Sequence, residues 1–269
     1  MVTAGLLHHH ISGPRDAPLL VLGPSLGTSM AIWEPQLTAL SREFRVLRFD
    51  LPGHGGSATS LLPDPKSGST TVEELAALVL CLVDHHDHTT FHYAGISLGG
   101  AIGAQLAVHH PERILSLALV CSSAHFGEAG PWEERAAMVR LKGTDPLLTT
   151  SPGRWFADPE IAASPIGRSL LRNLAAADPE GYAACCDALA AYDLRPALER
   201  IDAPTLVIGG TEDVATPLDH AWELADGIPR VDMRLVRTGH LALEQPTAVE
   251  IALLTHLRAH VTEAATRSE

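Results

Sequence analysis

The sequence predicts an α/β fold, a mainly parallel central sheet flanked by helices and interrupted by a helical insert. Three observations predict it. Short apolar runs bounded by turn residues alternate with longer helical patterns. Most of those runs are nearly continuous, as strands covered on both faces must be. The rhythm then stops between about 123 and 196, where strand-like runs vanish and helical segments remain. A β-α-β-α order is what parallel strands with covering helices produce.

The 269 residues carry 19 Lys+Arg against 32 Asp+Glu, a net charge of −13, with 46% apolar and 4% aromatic residues. This length suits one large domain, or one domain with an insert. The apolar fraction excludes a disordered chain. The acidic balance argues against nucleic acid, which needs a basic face.

The opening segment 2–11 is expected to add an antiparallel edge. PLLVLG (18–23), FRVLRF (44–49), FHYAGI (91–96), ILSLALVC (114–121), PTLVIGG (204–210) and MRLV (233–236) read as strands. Helical patterns cover 31–41, 72–86, 98–109, 217–226 and 246–260. Thr70 with Glu73, and Thr71 with Glu74, each fit a capping box before the second helix. LLPDPKSGST (61–70) reads as a surface loop. In the insert, 131–142, 159–176 and 179–192 are helical. Asp158-Pro159 and Asp178-Pro179 each offer an N-cap followed by Pro at the first helical position. The expected division is core at 1–122, helical cap at 123–196 inserted after the sixth strand, and core again at 197–269.

The N-terminus lacks a basic start, apolar core and small-residue cleavage site, so no signal peptide is expected. No apolar run approaches the roughly 20 residues of a membrane span. Cys81, Cys121, Cys185 and Cys186 show no metal-ligand spacing and read as reduced thiols of a cytoplasmic protein. The runs His8–His10 and His85, His86 and His88 lack the Cys or carboxylate set that completes a metal site.

The strongest chemical signal is Gly95-Ile96-Ser97-Leu98-Gly99-Gly100, between the strand FHYAGI and a helix. A Gly-x-Ser-x-Gly at a strand-to-helix turn is a nucleophile elbow. The glycines two before and two after let the sharp turn pass without clashes. Ser97 then projects over the sheet beside a helix N-terminus that favours negative charge. A serine hydroxyl needs a base. In this arrangement an acid and a histidine should follow, each just after a later strand. Asp213 in GGTEDVATP and His240 in RTGHLALEQP occupy those places. Asp213 would orient the imidazole, and His240 would take the Ser97 proton. Glu212 is the alternative acid. The oxyanion needs two N–H donors, expected from Leu98 and from Leu26 in the loop after 18–23. Ser25 has two readings, a hydroxyl added to the site and a turn serine. Asp50 and His54 in FDLPGHGGS read as structural, with the Asp50 carboxylate holding turn N–H groups.

Together these segments resemble the α/β-hydrolase superfamily over nearly the whole chain. The finer resemblance is to 3-oxoadipate enol-lactonases. It rests on GPSLGTSMAIWEPQ (23–36), FRVLRFDLPGHGGS (44–57), GPWEERAAMVR (130–140), GRWFADP (153–159), DPEGYAACCDALAAYDLR (178–195) and IDAPTLVIGGTED (201–213). Three of these lie largely or wholly in the insert, where hydrolase families differ most. The resemblance implies water-driven opening of a carboxylate-bearing enol-lactone, without a cofactor, in aromatic-compound breakdown. It implies no nucleic-acid or membrane partner and leaves the oligomeric state open. The loop at Asp50 carries Leu51-Pro52 where many members carry Arg. The loop around the base, GHLALEQP, also differs from the polar version of many members. The substrate carboxylate then needs another cation, and Arg135, Arg140, Lys142 and Arg154 are the candidates. Trp132, Trp155 and Phe156 are candidates for walling the pocket. The chain ends soon after 246–260, so no further catalytic domain is expected behind it.

Overall fold

The computed structural model describes residues 5–66 and 68–266. Among the described residues seven strands form one sheet in the order β1-β3-β2-β4-β5-β6-β7. They are β1 (His9–Ser12), β2 (Leu19–Gly23), β3 (Arg45–Phe49), β4 (Phe91–Ile96), β5 (Ile114–Val120), β6 (Thr205–Gly210) and β7 (Val231–Val236). Only β1 runs antiparallel, pairing His9 with Phe49. Residues 2–4 of the expected 2–11 segment lie outside the described residues. Strands β2, β4 and β6 are buried at every position, which is why they read as unbroken apolar runs. The edge strand β7 is half-exposed, and it starts two residues before its apolar run predicts.

Helices α1 (Glu34–Leu40) and α10 (Pro246–Thr266) pack together, with α10 also against β5, β6 and β7. Helices α2 (Val72–His85) and α3 (Leu98–His109) pack on each other, while α9 (Leu218–Gly227) lies on β6 and β7. Of the two capping boxes the sequence offers, the structure uses Thr71 with Glu74. A 3-10 turn at Met30–Trp33 replaces the first turn of the expected 31–41 helix, because Glu34-Pro35 restarts the helix there.

Between β5 and β6 lie α4 (Ala129–Lys142), α5 (Ser151–Trp155), α6 (Pro159–Ala163), α7 (Pro165–Ala176) and α8 (Pro179–Ala191). Among the described residues the cap therefore follows the fifth strand rather than the sixth, since one opening strand and four core strands precede it. The expected 159–176 helix is two helices. Pro165 has no N–H to continue the ladder, and Ser164 turns extended to cap Gly167. Helix α5 shows no strand or helix period in sequence and was not expected. Asp158 and Asp178 cap their helices as their Asp-Pro pairs predict. Helix α4 packs along α8, forming the body of the cap.

Strand order fixes the site. From β2 the chain moves to β3 on one side and then to β4 on the other. The loops leaving β2 and β4 thus diverge and open a crevice at their carboxyl ends. Among the described residues no helix is long and apolar enough to cross a membrane.

Candidate active site

Ser97 sits between β4 and α3 with φ 55° and ψ −119°. A left-handed φ on a non-glycine residue costs about 1–3 kcal/mol and persists only where neighbours enforce it. Here they do. The Ser97 N–H donates to Val120 O at 3.0 Å, and Ser122 Oγ donates to Ser97 O at 2.8 Å. Tyr93 Oη, on β4, donates to Gly99 O at 2.9 Å. A Cβ on Gly95 would collide with the Gly99 backbone, and one on Gly99 with the Gly23 carbonyl. Only glycine lets the elbow close against the loop leaving β2.

Asp213 and His240 follow β6 and β7. Asp213 Oδ2 lies 2.9 Å from His240 Nδ1, and both side chains are buried. The same oxygen accepts Thr216 Oγ1–H at 2.7 Å. Its other oxygen accepts the N–H groups of Ala215 at 2.8 Å and Thr216 at 3.0 Å. Burial pushes the Asp213 carboxyl up, but the facing His240 and these hydrogen bonds outweigh it and hold the carboxyl below its ordinary 3.8. Glu212 instead turns outward and pairs with Arg237 at 2.6 Å. Asp213 is therefore the acid that reaches the imidazole. Thr216 was not anticipated; its signal was a hydroxyl three residues after an Asp in a turn.

Ser97, His240 and Thr216 line one cavity with Ser25 and Leu26. Leu98 is the first residue of α3, so its N–H has no intrahelical acceptor. Ser25 lines the cavity, while its carbonyl serves the turn by accepting from Thr28. The Asp50 carboxylate takes N–H groups from Met30 at 2.7 Å and Gly56 at 2.9 Å, the structural work its place in the loop predicts.

The cap closes the cavity with Trp132, Arg135, Arg154 and Trp155, all named from sequence, and with Phe126 and Tyr182, which were not. Phe126 and Tyr182 carried no signal apart from being aromatic in a cap that needs apolar packing. Phe156 packs edge-on against Trp155 and does not line the cavity. Arg140 points elsewhere. It binds Asp187 at 2.5 Å and Glu180 at 3.3 Å, so its charge is neutralised within the cap. Lys142 is exposed at the end of α4. Two of the four candidate cations therefore face the cavity. Arg135 lies 4.7 Å from the Trp132 ring centroid, and its charge acts on the buried Tyr182 hydroxyl. Among the described residues neither Arg135 nor Arg154 pairs with a carboxylate. Burial and then the nearby Arg135 charge pull the Arg154 pKa below its ordinary value. Two cations sharing a partly desolvated wall repel, and an anion between them relieves that.

The base loop is stitched to this wall. Glu244 accepts the Gly239 N–H at 3.0 Å and, through its other oxygen, the Ala157 N–H at 2.8 Å. The Leu241 N–H donates to Trp155 O at 3.2 Å. Among the described residues no group of three or more His, Cys, Asp or Glu could hold a metal ion.

This arrangement can perform acyl transfer: a hydroxyl on an elbow, a buried His–Asp pair, and a helix N-terminus beside it. Comparison with known proteins agrees. The profile of the alpha/beta hydrolase fold matches residues 18–145. Over 249 residues the chain is 35% identical to 3-oxoadipate enol-lactonase 2 of Acinetobacter baylyi, covering 92% of this chain and 91% of that protein. It is 32% identical to 3-oxoadipate enol-lactonase 1 of the same organism, covering 88% and 87%. The crystal structure of the enol-lactonase from Burkholderia xenovorans LB400 matches with a TM-score of 0.88 and 36% identity, over 94% of this chain and 96% of that one.

Proposed function

The chain belongs to the α/β-hydrolase family, and we propose that within it this protein hydrolyses 3-oxoadipate enol-lactone to 3-oxoadipate, a late step in the β-ketoadipate route of aromatic breakdown. The observation that carries the reading is the cavity wall. Arg135 and Arg154 face the same cavity as Ser97 and His240, and among the described residues neither pairs with a carboxylate. A lactone bearing a carboxylate side chain supplies the missing anion.

The chemistry follows from the geometry. Ser97 Oγ attacks the lactone carbonyl while His240 takes its proton. The N–H groups of Leu26 and Leu98 receive the oxyanion. Collapse breaks the ring C–O bond, and the departing enolate takes the proton from His240 and becomes a ketone. Its product stays tethered as the acyl chain on Ser97. Water, deprotonated by His240, then releases the diacid. Asp213 keeps the imidazole in one tautomer and stabilises its cationic form. The residues in hand supply every proton and donor, so the route draws on no cofactor. The protein's net charge of −13 repels an anionic substrate at long range. The two guanidiniums offset this locally.

The test is turnover of enzymatically generated enol-lactone, followed as loss of ultraviolet absorbance. Ser97→Ala should remain folded and lose nearly all activity. Replacing Arg154 by Ala should raise KM for the lactone by roughly 10- to 100-fold, from the ~1.5–3 kcal/mol of a hydrogen bond to a charged group. KM for a neutral nitrophenyl ester should barely change. Turnover of neutral esters alone would reassign the protein as a general carboxylesterase. Equal effects of the Arg154 change on both substrates would remove the carboxylate clamp.

A further inference from the structure

We propose that His54 is a positioning residue that sets the oxyanion loop through Gly27. The proposal rests on the serine-hydrolase reading above, though not on the lactone as substrate.

His54 is 1% exposed in the loop after β3. Its Nδ1 lies 2.9 Å from Pro52 O, and its Nε2 accepts the Gly27 N–H at 3.1 Å. A carbonyl only accepts and an amide N–H only donates. The ring is therefore the neutral Nδ1–H tautomer, with a bare Nε2. Gly27 has φ +79°, a left-handed conformation that fixes where its N–H points.

The consequence falls on Leu26. In a planar trans peptide, the C=O of one residue and the N–H of the next point in opposite directions. Ser25 C=O accepts the Thr28 N–H at 3.1 Å and the Thr28 hydroxyl at 2.8 Å. That peptide therefore directs the Leu26 N–H away from the turn. The next peptide, Leu26–Gly27, is held by His54. The two planes flanking Leu26 thus have one anchor each, from Thr28 and from His54. The far side of the His54 ring packs on Tyr182, with centroids 5.8 Å apart. Tyr182 lines the cavity together with Arg135. One buried imidazole thereby connects the oxyanion donor to the cap wall.

Burial pushes the His54 pKa down, against the opposing pull of the Pro52 carbonyl and the Asp50 and Asp178 charges. This keeps Nε2 bare at neutral pH.

The test uses the full chain and a neutral nitrophenyl ester, with phenylboronic acid as a probe that becomes tetrahedral on Ser97. His54→Leu removes the acceptor. His54→Gln restores one at the Nε2 position, and His54→Asn retains an amide that stops short of it. Loss of one oxyanion donor costs about 100- to 1,000-fold in kcat, so loosening one is expected to cost about 10- to 100-fold. KM should stay within about threefold, Ki for the boronic acid should rise in step with the fall in kcat, and His54→Gln should recover most of the loss. Unchanged kcat in His54→Leu overturns the proposal. So does a joint loss of kcat, KM and melting temperature that Gln does not repair, since that marks a packing role. If His54→Leu fails to fold, the comparison of Asn with Gln decides: equal kcat in the two overturns it. Wild-type protein inert toward every ester refutes the serine-hydrolase reading, and this proposal with it.

Discussion

Acid should destabilise this protein well before its carboxylates protonate, because two histidines are buried neutral under the sheet. His92, on β4, is fully buried, with Nδ1 2.8 Å from Ser116 Oγ and no partner for Nε2 among the described residues. His256, on α10, is 6% exposed, and among the described residues its Nε2 also lacks a partner. Burial first, and then the neighbouring histidines, His260 among them, push both pKa values from 6.5 down to about 4; only Asp232 and backbone carbonyls near His256 pull the other way. The folded state thus binds fewer protons than the unfolded chain between pH 6.5 and 4. Stability is intact above 6.5, falls as pH drops through this window, and stops falling from this source near 4. At 1.36 kcal/mol per unit, each histidine costs about 2 kcal/mol at pH 5 and about 3 kcal/mol at full protonation. Part of the His92 shift comes from the His256 charge, so the pair costs less than twice one. Even about 3 kcal/mol is a large share of the ~5–15 kcal/mol that holds a domain folded. Urea unfolding at pH 7.5 and 5.0 should show this loss in the wild type. The double variant His92→Gln with His256→Gln should lose about 2–3 kcal/mol less over the same interval. An identical loss in both proteins would refute the reasoning.

Asp213→Asn should lower kcat by roughly 10,000-fold, because the amide stabilises the wrong imidazole tautomer; Glu212→Gln, at an exposed Arg237 pair, should leave kcat within about twofold. Both are read by ester hydrolysis. Gly99→Ala should destroy activity and lower the melting temperature, since its Cβ meets the Gly23 and Pro24 carbonyls, which are backbone and cannot rotate away; a soluble, active variant would show that the elbow relaxes. Arg140→Ala strands the buried Asp187 carboxylate and should cost about 1–3 kcal/mol in chemical denaturation, with lactone KM little changed. That is the reverse of the pattern expected for Arg154.

The catalytic part of the site was legible because local rules bind it. Gly95-x-Ser97-x-Gly99 needs only a strand before it and a helix after it, and both announce themselves by apolar period. Asp213 and His240 were legible for the same reason, as turn residues just after strands. Choosing Asp213 over Glu212 was an inference from placement; in the structure Asp213 faces His240 and Glu212 faces Arg237. The cap was less legible. Ser164-Pro165 splits a segment that reads as one helix, and α5 is too short to show a period.

What the sequence determined by itself was the α/β layering, the elbow and the order of Ser97, Asp213 and His240, since each follows from nearest neighbours along the chain. Which cation serves the cavity was a tertiary decision. Arg135, Arg140, Lys142 and Arg154 look alike in sequence, yet only Arg135 and Arg154 line it, because Asp187 on α8 captures Arg140 first. His54 shows the same limit. It reads as a turn histidine until folding brings Gly27, twenty-seven residues earlier, against its Nε2. A long-range contact is set by which faces pack together, and no local pattern records that.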